Sequence, residues 1–172
     1  MTQSDTSAPT GGGQLFLVPV DFAECSRRAL LWADERALGS SARLHVVHVM
    51  PPLTAVPTLQ PGMLPAMQPR LYEQQREEAR QALETLVQGC RSPVTCEVVD
   101  GEIVKTIVDL SEKLGAELLV VGTHGRSGVE RLVLGSVSES VLRSVKCPVI
   151  VVPQSAGLPT PVPVGRYKHA DQ

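Results

Sequence analysis

The chain has 172 residues, with 16 Lys and Arg against 18 Asp and Glu and a hydrophobic share of 42%. This length and apolar share are typical of one globular domain with its own core, and they argue against global disorder. The charge is nearly balanced and only five residues are aromatic, one Trp, two Tyr and two Phe. We expect no nucleic-acid partner, because the chain lacks both a basic footprint and a stacking platform.

The cysteines and the N-terminus indicate the compartment. The four cysteines form no C-x-x-C pair and have no zinc-like spacing to the four histidines, so we expect reduced thiols and no metal-ligating residues. Residues 1–13 are polar, small and glycine-ended, which predicts a disordered tail. Neither a signal-peptide pattern nor an apolar stretch of about 18 residues is found. We therefore expect a cytoplasmic protein without a membrane partner.

The first third of the chain alternates strand and helix signals. Gln14–Val20 is a continuous apolar run, the pattern of a strand buried on both faces, and Asp21 follows it directly. Apolar residues recur at helical spacing over Cys25–Leu38, and Gly39 predicts where that helix stops. Arg43–Met50 has the β-branched composition of a second strand and ends at a Pro-Pro pair.

The remaining segments continue the alternation. Residues 51–69 hold six prolines and predict a long surface connection, and an amphipathic helix follows over Leu71–Gln88, closed by Gly89. The later predicted elements are the strand Val94–Val99, the helix Glu102–Leu114, the strand Leu118–Val121, a short helix from about Val137 to Ser144, and the strand Val149–Val152. Strands separated by helices run parallel through right-handed crossovers. The pattern therefore predicts an α/β fold, an open five-stranded parallel sheet that is doubly wound.

The loop after the fourth predicted strand carries a phosphate-binding pattern. It contains Gly122, Gly125 and the pair Gly135-Ser136, and it opens onto a helix. Glycines let backbone N–H groups approach a polyphosphate, and a helix N-terminus adds donors and a favourable dipole. A side chain at Gly122 or Gly135 is expected to occupy the space that phosphate or ribose needs.

Two further features place the site. Ser136 and Glu139 form a capping-box pattern, which predicts that the last helix begins at Ser136. In open parallel sheets, ligands bind beyond the carboxyl ends of the strands where the strand order reverses. We therefore expect the loops that begin at Asp21 and Gly122 to form the site, although Asp21 also fits the cap of the first helix.

With Gly122, Gly125, Gly135 and Ser136 filling every fixed position of the signature Gly-x2-Gly-x9-Gly-Ser/Thr, the chain resembles the universal stress protein family. The resemblance covers residues 14–153 and extends to four flanking segments. These are Val-Pro-Val-Asp at 18–21, His-Val at 48–49, Gly-Glu-Ile-Val at 101–104 and Cys-Pro-Val-Ile-Val-Val at 147–152. It implies a universal stress protein domain over 14–153, a Pro-rich C-terminal extension over 154–172, and an adenine nucleotide alpha-hydrolase-like sheet of strand order 3-2-1-4-5.

The resemblance also implies ATP binding and assigns roles to residues. Pro19, Val20 and Asp21 would be the first-strand contacts, with Asp21 accepting from the ribose hydroxyls. The other implied contacts are Val49 and Val121 at the adenine, Gly122, His124, Gly125 and Arg126 at the ribose and phosphates, and Gly135, Ser136, Val137 and Ser138 at the phosphate oxygens. Mg²⁺ or Mn²⁺ would be held through the phosphates.

We interpret the chain as a nucleotide-dependent stress-response regulator and not as an enzyme. It lacks the P-loop, the dinucleotide fingerprint and the nucleophile elbow, so we expect ATP hydrolysis to be absent or slow. Two alternatives stay open, a receiver-like phosphoacceptor domain and a scaffolding homodimer without nucleotide binding. A receiver needs an acidic pair after the first strand, a phosphorylatable Asp after the third and a Lys after the last. Here Asp21 stands alone except for Glu24, Asp100 follows the third strand, and Lys146 precedes the last strand.

The last predicted strand indicates an oligomer. Val149–Val152 would be an exposed apolar edge in a monomer, and natural proteins rarely leave such an edge unprotected. The family resemblance implies a homodimer that pairs this strand with its copy across a two-fold axis. Alternatively, residues 153–165 fold back and cover the edge in a monomer.

Overall fold

Apolar runs and amphipathic segments become strands and helices in strict alternation. The structure, a computed structural model, describes residues 13–52, 68–123 and 135–153. The elements in chain order are β1 (Leu15–Pro19), α1 (Glu24–Ser40), β2 (Arg43–Met50), α2 (Gln68–Val87), β3 (Val94–Asp100), α3 (Ile103–Lys113), β4 (Leu118–Gly122), α4 (Ser136–Ser144) and β5 (Val149–Val152).

The five strands form one parallel sheet in the order β3-β2-β1-β4-β5, which confirms the predicted fold. β1 lies at the centre and pairs with β2 from Leu15↔Arg43 onward and with β4 from Phe16↔Leu118 onward. Because helices cover both faces of the sheet, both faces of a central strand are buried. This explains why the β1 sequence is a continuous apolar run and does not alternate.

Two apolar clusters fill the two faces of the sheet. On one face, Val18 belongs to the cluster that includes Ala33 of α1 and Leu83 of α2. On the other face, Leu17 belongs to the cluster that includes Ile107 of α3. Neighbouring strand residues point to opposite faces, and each fully buried Val or Leu stabilises the fold by about 1.5–3 kcal/mol. The carboxyl ends of the central strands are therefore held from both sides.

The largest differences between the predicted and the observed helix ends are at the end of α1 and at the start of α2. The prediction that Gly39 stops α1 is wrong, because the helix continues to Ser40 and the left-handed residue is Ser41, with φ 56°. The N–H of Ser41 donates to the carbonyl of Ala37, which satisfies one of the last helical carbonyls. α2 begins at Gln68, three residues before the predicted start, because a proline is tolerated in the first turn of a helix.

Three predicted segments fall wholly or largely outside the described residues. They are the N-terminal tail apart from residue 13, the middle of the 51–69 connection, and the 154–172 extension. Among the helices that the structure describes, none has the length and apolar character needed to cross a membrane.

Candidate functional site

A cavity of about 220 Å³ opens at the carboxyl ends of β1, β2 and β4, where the first turn of α4 and one face of α3 complete its wall. β1 and β4 are neighbours in the sheet, although two strands separate them in the chain. The strand order reverses between them, and ligand sites of open parallel sheets lie at such a point.

Predicted contacts from four separate segments line this cavity. They are Pro19, Val20, Asp21, Val49, Val121, Gly122, Gly135, Ser136, Val137 and Ser138. The other three predicted contacts, His124, Gly125 and Arg126, lie outside the described residues. The structure thus brings the ten described positions together, and their contacts with a ligand stay predictions.

The apolar part of the cavity is larger than the sequence indicated. Beside Val49 and Val121, the cavity is lined by apolar side chains that were not predicted, which are Val47, Ile103, Ile107 and Val141. Val47 shares a strand face with Val49, and Ile103 and Ile107 share a face of α3, so the periodicity contained the signal. What the sequence did not contain was the packing of α3 over this end of β2. The resulting slot has the character that a flat, weakly polar base requires.

Asp21 fixes the turn after β1 and also lines the cavity. Its Oδ1 accepts from the N–H of Ala23 at 3.0 Å and from Oγ of Ser26 at 2.7 Å. Oδ2 has no partner among the residues that the structure describes. The N-cap of α1 is Ala23, without a side-chain cap, so the alternative of Asp21 as helix cap is wrong. Ser26 also lines the cavity, and sequence analysis missed it.

The start of α4 supplies backbone donors. The first helical bond runs from the N–H of Glu139 to the carbonyl of Gly135. The N–H groups of Ser136, Val137 and Ser138 have no acceptor within the described ranges, as expected for the first turn of a helix. Because these three residues line the cavity, their donors and the positive end of the helix dipole suit an anion.

The predicted capping box is wrong, although α4 does begin at Ser136. Gly135, with φ −61° and ψ 150°, occupies the N-cap, and no side chain of the described residues caps the helix. Ser136 is therefore the first helical residue, and the carboxylate of Glu139 instead pairs with Arg143 at 2.8 Å. The absence of a side-chain cap leaves the N–H groups of the first turn available to a ligand.

Ser138 ties α4 to the end of β4. Its Oγ donates to the carbonyl of Gly122 at 2.8 Å, and the N–H of Gly135 donates to the carbonyl of Thr123. Ser138 therefore offers the cavity its backbone N–H, while its hydroxyl holds the helix in place.

Gly122 is required by the packing of α1. A Cβ added at Gly122 would lie 2.7 Å from the carbonyl carbon and oxygen of Cys25 and 2.9 Å from the Cβ of Cys25. A side chain here would therefore collide with α1, and its effect on the phosphate or ribose space stays a prediction. Gly122 lets α1 approach β4, and its own backbone still lines the cavity.

The side chains of the site fit a nucleotide better than a metal bound by protein alone. Within the described ranges, no group of three or more His, Cys, Asp or Glu could hold an ion. Asp21 is the one carboxylate among the described residues that line the cavity. A divalent cation there would depend on oxygens that the phosphates supply.

Comparisons with known proteins identify the family. The sequence profile of the universal stress protein family matches residues 14–153. The chain belongs to this family.

Its curated relatives differ in length. Universal stress protein MJ0531 of Methanocaldococcus jannaschii is 29% identical over 138 residues, which are 79% of each chain. Universal stress protein Rv1996 of Mycobacterium tuberculosis is 30% identical over 155 residues, covering 80% of this chain and 47% of that protein. The chain thus spans about half the length of the mycobacterial relative.

Solved structures share the fold. The hypothetical protein MJ0577 superimposes with a TM-score of 0.70 at 24% identity, over 82% of this chain and 96% of that one. A universal stress protein in complex with cAMP gives a TM-score of 0.53 at 26% identity, over 82% and 97% of the two chains. The Archaeoglobus fulgidus universal stress protein in complex with dAMP gives 0.55 at 20% identity, over 81% and 97%.

Proposed function

We propose that the chain is an ATP-binding universal stress protein that acts as a nucleotide-dependent regulator of a stress response. The observation that carries the proposal is the combination, in one cavity, of an apolar slot and three N–H groups without an acceptor among the described residues. The adenine lies in the slot, the ribose hydroxyls donate to Asp21, and the phosphates accept from the N–H groups of Ser136, Val137 and Ser138. His124, Gly125 and Arg126 remain proposed contacts of the ribose and phosphates.

Two structural neighbours support an adenine nucleotide as the ligand. One is a universal stress protein in complex with cAMP, and the other is its Archaeoglobus fulgidus counterpart in complex with dAMP. ATP is our choice within this class, because the glycine signature of the chain resembles that of the ATP-binding members of the family. Mg²⁺ or Mn²⁺ would neutralise the phosphates and be held through them.

We further propose that the chain binds ATP without turning it over at an appreciable rate. Hydrolysis needs a group that activates water. Asp21, the carboxylate of the described cavity wall, already has Oδ1 engaged by Ala23 and Ser26, and its proposed role is to accept from the ribose. The output of binding is therefore conformational.

Compartment and assembly complete the proposal. Cys25, Cys90, Cys96 and Cys147 are all free thiols, which supports the reducing cytoplasm as the place of action. β5 lies at one end of the sheet and its first three residues are half-buried. An edge of this kind supports a homodimer joined through β5.

The receiver-like alternative is disfavoured by the strand order. Asp100 ends β3, and β2 separates β3 from β1, so Asp100 does not lie beside Asp21. Its two carboxylate oxygens instead accept from Tyr72 at 2.7 Å and Arg76 at 2.9 Å. A scaffolding homodimer differs from our proposal only in nucleotide binding, and titration of the chain with ATP decides between the two.

Calorimetric titration with ATP and Mg²⁺ tests the proposal, with Ser136→Pro and Ser136→Ala as a matched pair. Proline is tolerated at the first helical position, and Gly135 already has the extended backbone required before a proline. Ser136→Pro removes the N–H donor, whereas Ser136→Ala removes only the hydroxyl. A hydrogen bond to a charged acceptor sustains about tenfold or more in affinity, so we expect that loss for the proline variant and little change for the alanine variant.

Adenosine is the internal control. It has no phosphate, so its affinity is expected to be equal in both variants. The absence of any binding by the wild-type chain at millimolar ATP contradicts the proposed function. Equal ATP affinity of the two variants contradicts the assignment of the phosphates to α4.

A further inference from the structure

The turn between β1 and α1 has an unusual backbone. Phe22 has φ 64°, in the left-handed region that residues with a large side chain rarely occupy. Phe22 lies between Asp21 and Ala23, and this conformation returns the N–H of Ala23 to Oδ1 of Asp21 at 3.0 Å. A residue in a disfavoured conformation persists only where its surroundings hold it, and such residues cluster at functional sites.

Ser26 holds the turn from the side of α1. Its Oγ donates to Oδ1 of Asp21 at 2.7 Å and lies 3.3 Å from the backbone N of Asp21. Ser26 is buried. This contact fixes one carboxylate oxygen of Asp21 and leaves Oδ2 as the oxygen available to a ligand.

His48 holds the turn from the side of β2. Its Nδ1 lies 2.7 Å from the carbonyl oxygen of Val20. Because a carbonyl oxygen only accepts, Nδ1 carries the proton and donates. The centroid of the imidazole ring also lies 4.5 Å from the centroid of the Phe22 ring, and the two ring planes meet at 40°. His48 therefore contacts the residues on both sides of Asp21, and it lines the cavity itself.

We propose that His48 is a positioning residue that fixes the Asp21 carboxylate and thereby sets the preference of the site for ribonucleotides over deoxyribonucleotides. This inference rests on the proposed function, because it names which part of the nucleotide the turn reads. Without the His48 contacts, the peptide between Val20 and Phe22 is free to relax, and Phe22 leaves the left-handed region. Oδ2 of Asp21 then loses the fixed position from which it accepts a hydrogen bond from a ribose hydroxyl.

The chain offers closely matched variants of His48. His48→Leu replaces the imidazole with an apolar side chain of similar size and removes the donor to Val20. His48→Asn places an amide N–H near the position of Nδ1 and retains the donor. The control is His45→Leu on the same strand, because the His45 ring contacts Thr95 and Glu97, both at 2.9 Å, and is not among the described residues that line the cavity.

The first measurement is the ratio of the dissociation constants for dATP and ATP. A hydrogen bond to a carboxylate sustains about tenfold or more, so the wild-type chain is expected to prefer ATP by at least that ratio. His48→Leu lowers the ratio towards one, and His48→Asn and His45→Leu retain it. In the Asp21→Asn background, where the charged acceptor is already lost, His48→Leu lowers the ratio no further. An unchanged ratio in His48→Leu, or a wild-type ratio near one, overturns the proposal.

A second measurement needs no nucleotide and separates this inference from the proposed function. The amide of Ala23 is held by Asp21, so His48→Leu is expected to increase its hydrogen-exchange rate by about tenfold or more. The amide of Ser92, which Asp34 holds at 2.8 Å elsewhere in the fold, reports any general loss of stability. If the chain binds no nucleotide, the proposed function fails while this exchange still tests the positioning. Unchanged protection of Ala23 in His48→Leu overturns the role of His48 whatever the chain binds.

Discussion

Gly122 illustrates how one residue of a ligand motif can be required by packing. The two nearest atoms to a Cβ at this position are backbone atoms of Cys25, both at 2.7 Å, and backbone cannot rotate away as a side chain can. We expect Gly122→Ala to lower the free energy of unfolding by about 1–3 kcal/mol or more, the usual cost of overpacking. Denaturant unfolding measures it.

Gly39→Ala is the matched control for that substitution. Gly39 lies within α1, and a Cβ there meets nothing within 4 Å. Alanine in a helix is favoured over glycine by about 0.5–1 kcal/mol, so this variant is expected to be more stable than the wild type. If Gly122→Ala were equally harmless, the close approach of α1 to β4 would not be the reason for the glycine.

Two weak acids predict how stability changes at alkaline pH. Burial, together with the hydrogen bond to Asp100, raises the pKa of Tyr72 to about 12. Burial, with the charge of Asp34, raises the pKa of Cys90 to about 12. Both groups keep their protons more tightly in the folded chain than in the unfolded chain. Their contribution is therefore fully present below the unfolded values of about 9 for the thiol and 10 for the phenol, and it is lost as pH rises towards 12.

We accordingly expect the free energy of unfolding to fall between about pH 9 and pH 12. Urea unfolding at a series of pH values measures the slope. Tyr72→Phe and Cys90→Ala each remove one titrating group and are expected to flatten it. A slope that is the same in both variants and the wild type would show that neither group is perturbed in solution.

At the residue scale, the sequence predicted which residues lie at the cavity wherever their position in a strand alone places them there. Asp21, Val121 and Gly122 lie at strand ends, and parallel strands place these ends at one edge of the sheet. Ser26 and His48 could not be predicted in the same way, because their roles depend on contacts with the turn after β1 that only the folded backbone creates.

At the element scale, one buried carboxylate on α1 binds the segment that precedes β3. Asp34 is 4% exposed and accepts from the N–H of Arg91 at 3.0 Å, from the N–H of Ser92 at 2.8 Å and from the hydroxyl of Ser92. Asp34→Ala would leave these donors without their acceptor. We expect it to lower the free energy of unfolding by at least about 2 kcal/mol.

The adjacent residue provides the control for Asp34. Glu35 lies on the same helix but is exposed, and surface substitutions of this kind usually change stability by less than about 0.5 kcal/mol. Glu35→Ala and Asp34→Ala are compared by denaturant unfolding under the same conditions. Similar small effects of both would mean that water replaces Asp34 as the acceptor.

Helix boundaries were harder to predict than helices. The sequence patterns located the four helices that the structure describes, three of them through an amphipathic face that must bury its apolar side. The ends depend on single backbone conformations. Ser41, and not Gly39, adopts the left-handed conformation that ends α1, and Gly135, and not a hydroxyl side chain, precedes α4. The intrinsic preferences of residues for helix ends favour the predicted ends. The path of the chain between consecutive elements overrides these preferences.

At the scale of the whole molecule, the strand order places the site. β1 and β4 become neighbours only because the chain crosses to β2 and β3 on one side and then returns. The alternation of elements predicted a parallel sheet, whereas the order of the strands came from the resemblance of the sequence to a family. A cavity wall that includes both Val49 and Val141 follows from that order and from the packing of α4, which no local pattern contains.

The exposed end of the sheet leads to the last prediction, a homodimer joined through β5. Among the described strands, β5 pairs only with β4, and Val149, Ile150 and Val151 are half-buried. Two-fold pairing of this strand with its copy would satisfy its backbone groups and cover its apolar side chains. We expect the wild-type chain to sediment as a dimer and Ile150→Lys to sediment as a monomer, because the new charge would face its own copy across the two-fold axis.

The other edge of the sheet supplies the control for this prediction. Val98 on β3 is also half-buried at a sheet edge and packs against the same cluster as Ile150. Val98→Lys costs a similar amount of packing, so it is expected to leave the chain dimeric. A chain ending at Pro153 distinguishes the remaining alternative, in which residues 153–165 cover β5. If the full chain is a monomer and only the shortened chain dimerises, the extension protects the edge and the dimer is not the native state.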